Sequence, residues 1–146
     1  MSILPFNEPI LGGANGNLKG FAAGGWSCEE GTADFTWTEA LEAKLQFNAR
    51  VTSSPIHLSL VGFPYLADGQ IKRQLVWVHL NGMYCGAFEA TDRFEVALPI
   101  RSSWLEPRDN TITFTFPQAV APAALGLGAD QRLLGVGMYS IELRTG

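Results

Sequence analysis

Two histidines, His57 and His79, are the side chains of this sequence best suited to acid–base or metal chemistry. Both fall in stretches with the pattern of a β-strand, whereas catalytic groups are more often on loops. No GxSxG, HExxH or P-loop motif occurs, and no helical pattern follows the glycine-rich turn at residues 12–16. We therefore predict structural roles for both histidines, no catalytic residues, no metal site and no cofactor.

A group of carboxylates is the next candidate, because a glycosidase needs two carboxyl groups at a defined separation and calcium binds clustered oxygens. The group consists of Glu29, Glu30, Asp34, Glu39 and Glu42. Their spacing along the chain does not give their separation in space. We expect a solvent-exposed acidic strip, with a calcium site and a small glycosidase or lyase-like enzyme as alternatives.

Aromatic residues near polar turns indicate a different chemistry, the recognition of a sugar. Indole and phenol rings stack on the apolar C–H faces of sugars, while neighbouring polar groups bind the hydroxyls. Trp26 and Trp37 flank a polar turn, and Tyr65 lies on a predicted loop tip. We expect these three rings to be exposed ligand contacts, coplanar and beside polar groups. Trp77 lies in an apolar run, and we expect it in the core.

Asp130 and Arg132 project from an otherwise apolar segment, residues 117–135. They could pin this segment by hydrogen bonds to the backbone and to neighbouring strands. Alternatively, they could offer an acceptor and a donor to sugar hydroxyls or to a carboxylate on an acidic polysaccharide. We keep both as candidate ligand-binding residues.

Period-two alternation, the mark of a half-buried strand, is the main pattern that positions these residues. It is clearest at residues 41–51 and recurs at 56–60, 93–98 and 111–116. Residues 74–80 are apolar on both faces, as expected for a central strand, and Asn81-Gly82 predicts a tight hairpin to 83–88. We place the last strand at 136–144, the first within 18–23, and a short helical turn near 102–106.

Together these elements predict an all-β protein, an antiparallel β-sandwich that is jelly-roll-like. Residues 117–135 form one long ordered loop before the last strand. Residues 1–146 are read as a single domain, with 1–17 as a loosely ordered lead that includes the flexible glycine-rich turn.

Composition excludes several kinds of partner. Apolar residues make up 47% of the chain and charged residues 16%, and the formal net charge is −4 without a basic cluster. These values argue against nucleic acid or an anionic membrane surface as a partner. The N-terminus lacks the features of a signal peptide and no stretch is long enough to span a membrane, so we expect a cytoplasmic protein. Cys28 and Cys85 are expected to be buried thiols, with a disulfide between them as the alternative.

In their order along the chain, these elements resemble β-sandwich domains that accompany bacterial glycosyltransferases and polysaccharide-assembly proteins, described as carbohydrate-binding-module-like. The resemblance covers about residues 25 to 143. Its elements include Gly25-Trp26-Ser27, Glu30, Trp37, Asn81-Gly82, Leu98-Pro99, Leu125-Gly126, Asp130, Arg132 and Leu134-Gly135. The resemblance implies a jelly-roll-like fold and a role in saccharide recognition.

Three functions remain open at this point. The first is a non-catalytic carbohydrate-binding domain that binds an oligosaccharide or polysaccharide through some of Trp26, Trp37, Tyr65, Asp130 and Arg132. The second is a structural or interaction protein that self-associates or docks on a protein partner through a sheet face or edge, which suits the low charged fraction. The third is the small enzyme.

Overall fold

The structure is a computed structural model that describes residues 1–29 and 33–146. Within these residues, nine strands form two antiparallel sheets. The strands are β1 (Ile10–Leu11), β2 (Thr36–Trp37), β3 (Glu42–Phe47), β4 (Ile56–Pro64), β5 (Gln74–Leu80), β6 (Met83–Ala90), β7 (Phe94–Ile100), β8 (Asn110–Thr115) and β9 (Val136–Thr145). Short 3₁₀ turns occupy Leu18–Gly20, Ala67–Gly69, Ser102–Trp104 and Pro122–Leu125.

The two sheets pack face to face as a jelly-roll-like sandwich, which confirms the predicted fold class. One sheet has the order β1-β9-β4-β7, with β2 also pairing with β9, and the other has the order β3-β8-β5-β6. The long strand β9 therefore carries both β1 and β2 on one side and β4 on the other. This arrangement brings Trp37, at the end of β2, next to Gly137 in β9.

Alternating side chains explain why these strands bury one face each. In β3 the exposed residues Glu42 and Lys44 alternate with Ala43, Leu45 and Phe47, which are fully buried. Similar apolar rows from the other strands close the core between the sheets, and each fully buried large side chain contributes about 1.5–3 kcal/mol to stability. The main buried residues include Leu58, Leu60, Val76, Val78, Ile112, Phe114, Val136, Met138 and Ile141.

The Asn-Gly hairpin is confirmed. Asn81 and Gly82 join β5 to β6 and both have positive φ angles, 50° and 82°, as a type I′ turn requires. The Asn81 amide also donates hydrogen bonds to the Trp104 carbonyl and to Asn110 Oδ1. The turn is thus tied to the 3₁₀ segment near residues 102–106, where a short helical turn was predicted.

The N-terminal predictions are wrong in two respects. Residues 18–20 form a 3₁₀ turn that buries Leu18, and only Ala22 reaches a strand, through a single bridge to Leu45. The first strand is instead Ile10–Leu11, paired with β9. The first seventeen residues were expected to be a loose lead, yet Leu4 and Ile10 are buried in the core. The Leu4 amide donates to the Asn48 carbonyl next to β3, and Ile10 pairs with Ile141 in β9.

Trp77 is also misplaced by the sequence analysis. A sheet in a two-layer sandwich buries only one face, and in β5 that face carries Val76, Val78 and Leu80. Trp77 points away from them and is 43% exposed. An apolar run therefore does not require that both faces of the strand are buried.

The segment between β8 and β9 is the long loop that was predicted, closed at its base by paired hydrogen bonds between Val120 and Leu134. Cys28 and Cys85 are free thiols, and both are partly buried. In the described ranges, no helix has the length and apolar character needed to cross a membrane.

Candidate functional site

Trp26 is part of the core, so it is not available as a ligand contact. Its side chain is 7% exposed, its ring packs edge to face on Phe114 at 5.9 Å, and its indole N–H donates to the Lys44 carbonyl at 2.9 Å. The expectation of an exposed Trp26 is therefore wrong. Trp26 makes a single bridge to Thr38 and its indole is buried, which the sequence did not reveal.

Trp37 and Tyr65, by contrast, meet on the outer face of the five-stranded sheet, with ring centroids 6.0 Å apart. They belong to a continuous group of partly exposed rings that we call the aromatic cluster: Phe35, Trp37, Phe63, Tyr65 and Tyr139. Neighbouring centroids in this cluster are 4.8–6.1 Å apart. Two rings selected from the sequence thus become part of a larger surface.

Gly137 is the residue that lets these rings come together. It lies between Trp37 on β2 and Phe63 on β4. A Cβ atom at this position would be 2.4 Å from Phe63 Cζ and 2.9 Å from Phe35 Cδ2. The rings therefore lie directly over a glycine backbone, and any side chain there would displace them.

Coplanar rings were expected, but the rings of the cluster are not coplanar. Trp37 meets Phe35, Phe63 and Tyr65 with interplanar angles of 87°, 72° and 87°. Such edge-to-face contacts are the favoured packing of aromatic quadrupoles and add about 0.5–1.5 kcal/mol per pair. The cluster is thus a packed aromatic surface, and a ligand would meet ring faces and ring edges in alternation.

Asp130 and Arg132 form a clamp at the Tyr65 end of the cluster. Arg132 donates from Nη2 to Asp130 Oδ2 at 2.7 Å and from Nε to Asp130 Oδ1 at 3.0 Å. Its Nη1 donates to Ser27 Oγ at 2.8 Å, and the Ser27 amide donates to the Trp37 carbonyl. These contacts pin the long loop to the segment beside Trp37, the first of the two roles predicted for the pair.

The electrostatics of this end keep Asp130 ionised and Tyr65 neutral. Hydrogen bonds from Arg132 hold the pKa of Asp130 below its usual range. Partial burial, together with the negative charges of Asp68 and Asp130, raises the pKa of the Tyr65 phenol. At neutral pH the site therefore offers a phenol O–H that can donate, a carboxylate that can accept and a guanidinium.

The loop that follows Tyr65 has an unusual backbone. Ala67 and Asp68 both have left-handed φ angles, 51° and 52°, which cost roughly 1–2 kcal/mol for a residue with a Cβ. The conformation is held by a hydrogen bond from the Ile71 amide to the Leu66 carbonyl and one from Gln74 Nε2 to the Tyr65 carbonyl. It places the Asp68 carboxylate near the Tyr65 ring.

At the opposite end, Tyr139 borders a cleft of about 460 Å³. Asn15, Asp34 and Ser140 contribute polar groups to its wall. The Arg93 guanidinium lies 6.0 Å from the Tyr139 ring centroid, within cation–π range. Both ends of the aromatic cluster are therefore polar, and its middle is apolar.

Four of the five carboxylates from the sequence analysis lie within the described residues. Glu29, Asp34 and Glu42 are exposed and Glu39 is partly buried, as expected of a solvated strip, while Glu30 lies outside the described residues. Among the residues with described positions, no three His, Cys, Asp or Glu side chains are grouped so as to hold a metal ion.

Two aromatic residues on the other sheet were missed. Trp77 and Tyr84 are 43% and 58% exposed on the outer face of β5 and β6. The sequence contained a signal for both: Trp77 and His79 alternate with Val76 and Val78, and the Asn-Gly hairpin places Tyr84 across from His79.

No model of a known protein family matches this sequence, and no curated protein matches it. Solved structures do show the same fold. The chain is similar to the CBM36-1 domain of a multidomain xylanase from the hindgut metagenome of Trinervitermes trinervoides, with a TM-score of 0.50 and 11% identity over 93% of this chain and 94% of that one.

It is similar as well to a carbohydrate-binding module CBM36 in complex with calcium and xylotriose, with a TM-score of 0.50 and 12% identity over 93% of this chain and 98% of that one. A family GH115 4-O-methyl-α-glucuronidase with specificity for decorated arabinogalactans has a TM-score of 0.52 and 10% identity, over 89% of this chain and 17% of that one. The chain thus has the β-sandwich fold of carbohydrate-binding modules.

Proposed function

We propose that this protein is a non-catalytic carbohydrate-binding domain that holds a saccharide at the Tyr65 end of the aromatic cluster. The observation that carries the proposal is the meeting of four residues selected for sugar chemistry. The Trp37 and Tyr65 rings are in contact, and the Asp130–Arg132 clamp is joined to this end because Arg132 donates to Ser27 Oγ and the Ser27 amide donates to the Trp37 carbonyl.

The chemistry of this end suits a pyranose ring. The partly exposed rings of Trp37 and Tyr65 can take the apolar C–H groups of a sugar, while the Tyr65 hydroxyl and the carboxylates of Asp68 and Asp130 can exchange hydrogen bonds with its hydroxyls. The likeness in fold to a module that binds xylotriose supports the proposal.

A narrower proposal concerns the source of the saccharide. The sequence resembles domains that accompany bacterial glycosyltransferases, and we propose a bacterial polysaccharide under assembly as the ligand. This source is supported if the protein binds such a polymer and if short oligosaccharides of the same polymer compete for the site. Recognition of plant xylans alone would contradict it.

A second candidate function, docking on a protein partner, is favoured by one observation. Strand β6 is at the edge of its sheet, and Met83 and Tyr84 on it are 49% and 58% exposed. Unpaired edge strands with exposed apolar side chains can pair with another chain. Light scattering over a range of concentrations tests for self-association independently of sugar binding.

The direct test is calorimetric titration of the full chain with neutral and acidic oligosaccharides. Tyr65→Ala removes the ring and should weaken binding about ten-fold, since an aromatic contact contributes on the order of 1 kcal/mol or more. Tyr65→Phe keeps the ring, removes the hydroxyl, and should have a smaller effect. Val51→Ala, at a position that is 60% exposed and outside the cluster, is the matched control.

The proposal fails if no saccharide of either class binds, or if Tyr65→Ala and Val51→Ala bind equally well while both remain folded by circular dichroism. Binding that is lost in Tyr65→Ala and kept in Val51→Ala supports it.

A further inference from the structure

A second surface, on the outer face of the four-stranded sheet, has a composition unlike that of the aromatic cluster. Cross-strand pairing places Thr115, Trp77 and Ala87 side by side in one row. The next row contains Thr113, His79 and Tyr84. We call these six residues the Trp77 face, and it lies on the opposite side of the sandwich from the aromatic cluster.

Small neighbours leave the Trp77 indole uncovered. Thr115 on β8 and Ala87 on β6 are directly opposite it, and neither is long enough to cover a ring. In the part of the chain that the structure describes, no other aromatic ring packs against this indole. Trp77 thus keeps 43% of its surface in solvent, whereas Trp26 keeps 7%.

The centre of the Trp77 face is rich in hydroxyl groups and has no carboxylate, lysine or arginine. The threonines at 113 and 115 and the Tyr84 phenol provide hydroxyls on both sides of Trp77 and His79. Among the described residues, charges flank this centre: Glu42 and Lys44 on β3 are paired with Thr115 and Thr113, and the Arg73–Glu89 ion pair lies near the start of β5. A ligand complementary to this surface is uncharged and carries both apolar C–H faces and hydroxyl groups.

The size of the face argues against a protein as its ligand. The face covers three strands, each about 4.8 Å wide and ~14 Å together, and two rows of side chains that each take up ~7 Å along the strand, so it measures roughly 200 Å². A stable protein interface needs about 800 Å² from each partner. A short oligosaccharide needs far less, and one indole with flanking hydroxyls suits it.

We propose that the Trp77 face is a second binding site, specific for an uncharged saccharide chain, with Trp77 as the stacking ring and Thr113, Thr115 and Tyr84 as hydrogen-bonding groups. This inference rests on the proposed function and extends it. Because the two surfaces lie on opposite sheets, one molecule can hold two saccharide chains at once and bridge them.

The experiment is calorimetric titration of the full chain with xylohexaose and cellohexaose, with stoichiometry as the main readout. The wild-type protein should bind two oligosaccharides. Trp77→Ala should weaken binding at the Trp77 face about ten-fold or more and leave the site at the Tyr65 end unchanged. The affinity of the Trp77 face in Trp77→Phe should lie between those of the wild type and Trp77→Ala. Val51→Ala is again the control. A soluble neutral polysaccharide should become turbid with the wild-type protein and stay clear with Trp77→Ala, because bridging needs both sites.

Each outcome separates this inference from the proposed function. If the wild type binds one oligosaccharide, and this binding is lost in Tyr65→Ala and unchanged in Trp77→Ala, the second site is overturned and the first remains. If the wild type binds one oligosaccharide and only Trp77→Ala weakens this binding, the Trp77 face is the binding site of the protein and the site at the Tyr65 end is overturned. If no variant binds either hexasaccharide, the second site is overturned, and the proposed function is decided by its own titration with acidic oligosaccharides. If Trp77→Ala changes only the oligomeric state in light scattering, the face is a protein interface and the inference is wrong.

Discussion

Gly137→Ala tests whether the aromatic cluster depends on the glycine beneath it. The new Cβ would lie 2.4 Å and 2.6 Å from Cζ and Cε1 of Phe63, and 2.9 Å from Cδ2 of Phe35. Because Gly137 is paired on both sides, with Trp37 and with Phe63, the backbone has little room to retreat. The rings must therefore move.

The expected cost follows from this crowding. Overpacking a well-packed site costs about 1–3 kcal/mol, and here the nearest atoms are at the far end of a ring that can swing outward, so we expect about 1–2 kcal/mol. In a domain of this size such a loss lowers Tm by about 3–6 °C. Displaced rings should also change the near-ultraviolet circular dichroism and weaken saccharide binding at the Tyr65 end.

The measurement is urea unfolding of a double-mutant cycle with Phe63→Leu, which removes the ring atoms that the new Cβ would meet. The double variant should recover at least about 0.5 kcal/mol relative to the sum of the two single changes. Gly20→Ala is the matched control, because a Cβ there meets nothing within 4 Å. Additive effects in the cycle, or equal stabilities of Gly137→Ala and Gly20→Ala, would refute the reasoning.

Three further predictions concern the clamp, the core and the thiols. Asp130 has a lowered pKa, so the stability it provides, about 1 kcal/mol, is present at neutral pH and is lost as the pH falls from about 3.8 through the lower folded value. Asp130→Asn should therefore have a lower free energy of unfolding than the wild type at pH 7 and the same free energy of unfolding in acid. An equal difference between the two proteins in urea unfolding at both pH values would contradict this. Asn110→Ala should cost about 3 kcal/mol in urea unfolding, because this fully buried amide makes four hydrogen bonds, and a cost below about 1 kcal/mol would refute it. Burial raises the thiol pKa of both Cys28 and Cys85, so iodoacetamide at pH 7.5 should modify them more slowly than free cysteine and faster after unfolding, whereas fast modification of the folded protein would argue against it.

Most of the strands could be predicted from the sequence, because alternation is a local property. The alternation at residues 41–51 and 111–116 predicted β3 and β8, and two adjacent residues were enough to predict the hairpin at Asn81-Gly82. Position within the sandwich is not local. The first strand was missed because two residues, Ile10 and Leu11, are too few to show a period, and only β9 makes them a strand.

The same difference applies to the candidate site. Residue type alone selected Trp37, Tyr65, Asp130 and Arg132 as groups with suitable chemistry, and it selected Trp26 equally well. Only the tertiary structure decided that Trp26 is buried while Trp37 lies on the outer face. The reason is that burial of an aromatic ring depends on which layer lies over it, and that layer comes from distant parts of the chain.

The sequence by itself thus determined the class of fold and the kinds of residue available for binding, because period-two alternation and turn chemistry act over a few residues. The tertiary structure alone decided which rings share a surface. Gly137 brings Phe63 and Trp37 together from strands far apart in sequence. Trp77 is exposed because two sheets can bury only one face of each strand.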